Sequence, residues 1–181
     1  MCDYIGLQCN VFLTSNDDSS LSQGCRYIAE NRSERFLGFL KHVWEEQRGL
    51  VMGNENVLTE LKSLPVNCTN GTSVPLSDCY MPLEELQSVC KRFADEEVMP
   101  FLDIESYGEA DASGWAFLTR DLGVRRKNNL DFRISLLRAV TVKWGDALTE
   151  QQTLKVIKLY QYIEAYCVES PDPQGMRDSV L

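Results

Sequence analysis

His42 is the only histidine in the chain, and Cys68, Cys79 and Cys90 follow one another at intervals of eleven residues, so that the four can be drawn as the ligands of one zinc ion. Structural zinc sites usually bring their ligands in close pairs of the C-x₂₋₄-C kind, and no such pair occurs here. Cys90 also falls on an apolar helical stripe, where a cysteine behaves as a small hydrophobe. His42 sits beside Val43 and Trp44 in a helical pattern, without the positioned partner that a general base needs. Asp103, Glu105, Glu109 and Asp111 surround a glycine and have the chemistry to hold Mg²⁺ or Ca²⁺. Their order does not follow an EF-hand loop, and a solvated acidic loop accounts for them. P-loop, dinucleotide-binding, nucleophile-elbow and HExxH motifs are all missing. The residues therefore predict no catalytic set, no metal and no cofactor, with a metal-dependent hydrolase as the weakest alternative.

Charge gives a second candidate chemistry. The chain carries −9 overall, which disfavours generic binding to nucleic acid or anionic membranes. Between Arg120 and Lys143, however, seven basic residues face two acids, a local excess of +5 that leaves −14 on the remainder. Arg120, Arg125, Arg126 and Lys127 are the residues that would clamp phosphates or an acidic partner. A basic segment in an acidic chain more commonly pairs within its own fold or is solvated.

These side chains must be positioned by helices. A turn cluster ends at Asp18, and Ser19 or Ser20 can cap a short helix carrying Leu21, Tyr27 and Ile28. Asn31 with Glu34 reads as a capping box for a helix over about Ser33 to Gln47, with Phe36, Leu37, Leu40, Val43 and Trp44 on its apolar face. Asn54 caps a third helix that Pro65 ends. Asn70-Gly71 predicts a type I′ hairpin forming a small exposed tongue, with Pro75 restricting the second arm to an edge. Pro82 fits the first position of the next helix, whose Leu83, Leu86, Val89, Cys90 and Phe93 face the core.

The stretch Val98 to Val124 looks like the organiser of the chain. Met99, Phe101, Leu102 and Ile104 suit an extended segment pressed onto a core. Ser113 caps a helix over about Gly114 to Leu122 with Trp115, Leu118 and Leu122 buried, and Gly123 closes it. Asn129 then caps a long helix ended by Gly145, and Thr149 with Gln152 forms a capping box for a helix over about Glu150 to Val168.

That last helix carries apolar residues on more than one face: Leu154, Val156, Ile157, Leu159, Tyr160, Tyr162, Ile163 and Tyr166. Such a helix is buried on both faces or awaits a partner. Leu154, Ile157, Tyr160, Tyr162 and Tyr166 are thus the expected partner-binding residues.

The motifs LPVNCTNGTSVPLSDCYMPLEEL, VMPFLDI, SGWAFLTRDLGVRRKNNLDFRISLL and LYQYIEAYC, in that order, resemble a segment of very large fungal and plant proteins of sacsin-like organisation. The likeness covers roughly residues 35–181. It implies an accessory region of a chaperone-like scaffold, downstream of a GHKL-type ATPase module whose acidic-Asn box and glycine-rich lid do not occur here. It assigns no functional residue.

The expected fold is mainly α, an irregular multi-helix domain with one small β-hairpin. Residues 1–30 form a poorly defined N-terminal segment, 31–168 the helical domain with its hairpin near 65–76, and 169–181 a tail. Seven cysteines without pairing, and no signal peptide or apolar run of about 20 residues, point to reduced thiols in an intracellular protein, cytoplasmic or nuclear. The expected function is a non-catalytic interaction or scaffold module. Its partner is a protein or a missing segment of a larger chain, with self-association expected and no membrane; a nucleic-acid contact through 120–143 is the alternative.

Overall fold

Backbone donors at helix starts explain where most elements begin. Ser22 accepts from the Cys25 N–H and opens α1 (Gln23–Asn31); α2 (Ser33–Met52) follows almost at once. Asn54 accepts from the N–H groups of Asn56 and Val57 to open α3 (Glu55–Ser63). Strands β1 (Pro65–Asn67) and β2 (Ser73–Pro75) pair antiparallel with Val66 opposite Val74. Then come α4 (Glu84–Phe93), α5 (Ala116–Arg120), α6 (Leu130–Trp144) and α7 (Glu150–Glu169). The computed structural model describes residues 12–15, 19–94, 98–104 and 112–169. Among these the protein is mainly α, with seven α-helices and a single two-stranded hairpin.

The chain divides into two compact units, each discontinuous in sequence. The first comprises Met1–Cys79 and Leu102–Arg125, the second Tyr80–Phe101 and Arg126–Leu181. The division falls between Phe101 and Leu102, inside the apolar segment read from the sequence as one strand. Its residues are buried as expected, but each half makes an isolated bridge in its own unit, Tyr80 with Phe101 and Cys68 with Leu102.

In the first unit Trp44 of α2 stacks on Phe117 of α5 at 5.3 Å, and Trp115 stacks on Phe117 at 6.3 Å. Trp115 is fully buried, so it is a core residue rather than a ligand platform. Residues 112–115 form a 3-10 turn and α5 is only five residues long, shorter than the helix expected over Gly114 to Leu122. Gly123 takes φ +75° and turns the chain so that the Val124 N–H reaches the Leu118 carbonyl.

Several local expectations are corrected. Asn31 does not cap α2: it is the last residue of α1, its side chain donates to the Tyr27 carbonyl, and Arg32 occupies the cap position without a side-chain bond. Ser22, not Ser19 or Ser20, caps α1. The hairpin turn closes through the Gly71 N–H to the Cys68 carbonyl, while the Cys68 N–H reaches Thr72, with Gly71 at φ +77°. That is a three-residue loop with a glycine bulge, not a type I′ turn. The expected exposed tongue holds for the loop and second arm, which are largely exposed, but the first arm is anchored by the fully buried Val66. Pro82 lies one residue before the cap of α4, which is Leu83.

The second unit packs α4, α6 and α7 around Tyr80, Leu86, Phe93, Met99, Phe101, Phe132, Leu136, Leu159 and Ile163. Asn129 and the Thr149/Gln152 box do cap α6 and α7, as read from the sequence.

Candidate functional site

Helix α7 offers one face to its own core through Leu159, Ile163 and Cys167, all buried. Successive residues of a helix are separated by about 100°, so positions 154, 157, 161 and 168 fall on the opposite side. There Leu154, Ile157 and Val168 are 51%, 48% and 55% exposed, and Tyr160, on the flank, is 55% exposed. Between α4 and α7 an open groove of about 440 Å³ is lined by Arg92, Phe93, Lys158, Gln161 and Tyr162. Lys158 and Gln161 lie on the side of the helix that turns toward α4, and Leu154 falls between them around the helix, whereas Tyr160 falls on the opposite flank.

The five predicted partner-binding residues separate into two groups. Leu154, Ile157 and Tyr160 stand exposed, but Tyr162 and Tyr166 are half-buried because Arg133 of α6 is held over both rings. Its guanidinium lies 3.8 Å from the Tyr162 ring centre and 4.3 Å from that of Tyr166. It also donates to the Tyr162 carbonyl at 2.8 Å and to Asn128 at 3.2 Å. The Tyr162 ring rests on Phe93 at 5.2 Å, and its hydroxyl accepts from the Asn128 amide. Tyr162 and Tyr166 hold α7 to its unit, and Leu154, Ile157 and Tyr160 are exposed.

The basic residues are distributed less favourably for a phosphate clamp. Arg120 grips Asp121 through two bonds of 2.8 and 3.0 Å, and Asp121 also receives Arg48 and the Trp44 indole N–H. With its side chain 3% exposed, Asp121 is a buried carboxylate; Arg120 first, then Arg48, hold it well below the usual carboxylate range. Arg125 pairs with Asp78 at 3.3 Å. Arg126 and Lys127 are exposed and have no ion-pair partner among the described residues; they belong to the second unit, Arg120 and Arg125 to the first.

No zinc site assembles from the residues considered for it. His42 is exposed on α2, Cys68 and Cys79 lie in the first unit, and Cys90 is buried in the core of the second. Among the described residues no group of three or more His, Cys, Asp or Glu side chains could hold a metal. Glu105, Glu109 and Asp111, the side chain of Ser113 and the tail after residue 169 lie outside the described residues. No described helix is long and apolar enough to cross a membrane.

Sequence reasoning missed Arg92, Lys158 and Gln161 as neighbours of the apolar face, and Asp121 as the anchor of Arg120. A lone acid inside the apolar run Phe117 to Leu122 was the available signal for the latter. Comparison with protein-family models, with curated proteins and with solved structures found no match.

Proposed function

We propose that the chain is a non-catalytic interaction module that docks an acidic amphipathic helix of another protein along the outer face of α7. The observation that carries this reading is the exposure of Leu154, Ile157 and Tyr160 on α7, with a groove holding Arg92 and Lys158 on the Leu154 side of that surface and Tyr160 on its far flank. Large side chains on one helical face match the helix-in-groove mode of recognition, in which apolar anchors supply affinity. The two cations set the charge of the partner, because complementary potentials speed encounter and exclude wrong ligands. The resemblance to sacsin-like proteins is consistent with an accessory scaffold role for such a module.

The test uses two designed amphipathic peptides with the same apolar ridge, one flanked by Glu and one by Lys, titrated by fluorescence anisotropy. The Glu peptide should bind, the Lys peptide should bind at least tenfold more weakly, and Ile157→Glu should abolish binding without lowering the melting temperature. Equal binding of both peptides, or none, refutes the reading. Concentration-dependent dimers in light scattering that Ile157→Glu abolishes would replace the foreign helix with a second copy of the chain.

A further inference from the structure

Cys68 ends the first arm of the hairpin, and Cys79 follows the 3-10 turn Leu76–Asp78 that leaves the second arm. Their sulfur atoms lie 3.7 Å apart, in contact but unbonded. Both residues belong to the first unit, and both are buried. We propose that Cys68 and Cys79 form a redox-active dithiol that a low-molecular-weight disulfide oxidises to an intramolecular disulfide clasping the hairpin to the turn behind it.

The backbone on either side fixes the two cysteines. The Cys68 N–H donates to the Thr72 carbonyl, and its carbonyl accepts from Gly71. The Cys79 N–H donates to the Leu76 carbonyl, and its own carbonyl accepts from the Arg125 N–H. Ladder and turn therefore hold the backbone on both sides, so that closure of the bond falls to the side chains. A disulfide requires about 2.05 Å between sulfurs, so an approach of under ~2 Å closes the bond. The same spacing would suit two ligands of a metal, but the described residues provide no third.

The pair is also chemically asymmetric. The Cys79 thiol next to it and the Thr72 hydroxyl draw the Cys68 thiol below its ordinary range. Its hydrogen bond to Cys68, and then burial, push Cys79 well above it, and its S–H can also donate to the Pro75 carbonyl at 3.4 Å. Cys68, the less deeply buried of the two, is the attacking sulfur and Cys79 the resolving one. In the first step the Cys68 thiolate attacks one sulfur of the oxidant R–S–S–R; its S–S bond breaks, one RS⁻ leaves, and a mixed disulfide remains on Cys68. The leaving thiolate takes the Cys79 proton. Cys79 sulfur then attacks Cys68 sulfur, forming the protein disulfide and expelling the second RS⁻, which picks up a proton from water. Two electrons pass from the dithiol to the oxidant, which ends as two thiols. Cys25 makes the contrast: burial, with Glu60 nearby, pushes its thiol up to about 12, and no second sulfur lies against it in the described structure.

The experiment treats the full chain with oxidised glutathione over a graded glutathione redox buffer, quenches with acid, alkylates under denaturing conditions and maps peptides by mass spectrometry. Expected is a species two hydrogens lighter whose only cross-link joins Cys68 to Cys79, with Cys25 still alkylated. In Cys79→Ser a stable glutathione adduct should accumulate on Cys68, whereas Cys68→Ser should leave Cys79 unmodified. Circular dichroism confirms that each variant is folded, and the wild-type map stands by itself if one is not. Absence of the Cys68–Cys79 cross-link at the most oxidising poise, or scrambled pairing among the cysteines, overturns the proposal.

Discussion

Replacing Asp121 tests whether a single buried carboxylate joins α2 to the turn after α5. Its side chain accepts from the Trp44 indole at 3.2 Å, from Arg48 at 2.9 and 3.1 Å and from Arg120 at 2.8 and 3.0 Å. The partners differ in what they lose in Asp121→Ala. Side chains of Arg48 and Arg120 are 45% and 58% exposed and can return to water. Trp44 is 1% exposed, and its N–H would be stranded in the core. An orphaned buried donor costs about 1–3 kcal/mol, and the exposed ends of the ion pairs add at most about 1 kcal/mol more, so about 1–4 kcal/mol is expected. At this chain length each kcal/mol shifts the melting temperature by about 2–4 °C, a fall on the order of 2–16 °C.

The pH dependence follows from the sign of the shift. The folded carboxyl titrates below its unfolded value of about 3.9, so its contribution is complete above that value and lost as pH falls through the folded value. Melting curves of the wild type and Asp121→Asn should therefore differ most near pH 6, and the difference should begin to shrink as pH falls below about 4. Trp44→Phe keeps the stack on Phe117 and removes only the donor; combined with Asp121→Ala it should add less than the two single costs. Asp121→Ala melting within about 2 °C of the wild type, or a wild-type advantage over Asp121→Asn that is constant from pH 6 to pH 3, would refute the reasoning.

Arg133→Met keeps the aliphatic stem but loses the stacked guanidinium and its bond to the Tyr162 carbonyl; about 1–3 kcal/mol should be lost in urea unfolding, and Arg133→Lys should restore only part of it because an ammonium cannot lie flat on two rings. A short DNA duplex titrated at low salt should bind weakly, with a salt slope corresponding to no more than about two phosphates, because Arg120 and Arg125 are already paired; a slope of four or more would restore the basic segment as a nucleic-acid contact.

Helix existence was legible wherever the apolar stripe and a cap agreed, as at Asn54, Asn129 and Thr149. It failed where a cap residue had a competing use. Asn31 matches a cap by type, yet α1 runs through it and its amide bonds back to Tyr27, so one short connection serves two helices. The Asn70-Gly71 pair located the hairpin but not its loop type, since Asn70 uses its side chain on the N–H and hydroxyl of Thr72, which suits a bulged three-residue loop. The division at Phe101 and Leu102 had no local signal. Alternating apolar residues report that a segment is buried, and carry nothing about which core receives each one.

Charge was the least legible property, because a count does not distinguish a cation in water from one already engaged. Of the seven basic residues in 120–143, Arg120 and Arg125 sit on carboxylates and Arg133 is 9% exposed against two tyrosine rings. The segment that reads as +5 therefore presents much less than that to a ligand. Arg92, beside Lys91 at the end of α4, and Lys158 attract no notice in the sequence, lying far apart in it. Folding brings them to one groove on the Leu154 side of the exposed face of α7. In the proposed docking, juxtaposition by α4 and α7, rather than local density of charge, is what would make that surface selective for an acidic helix.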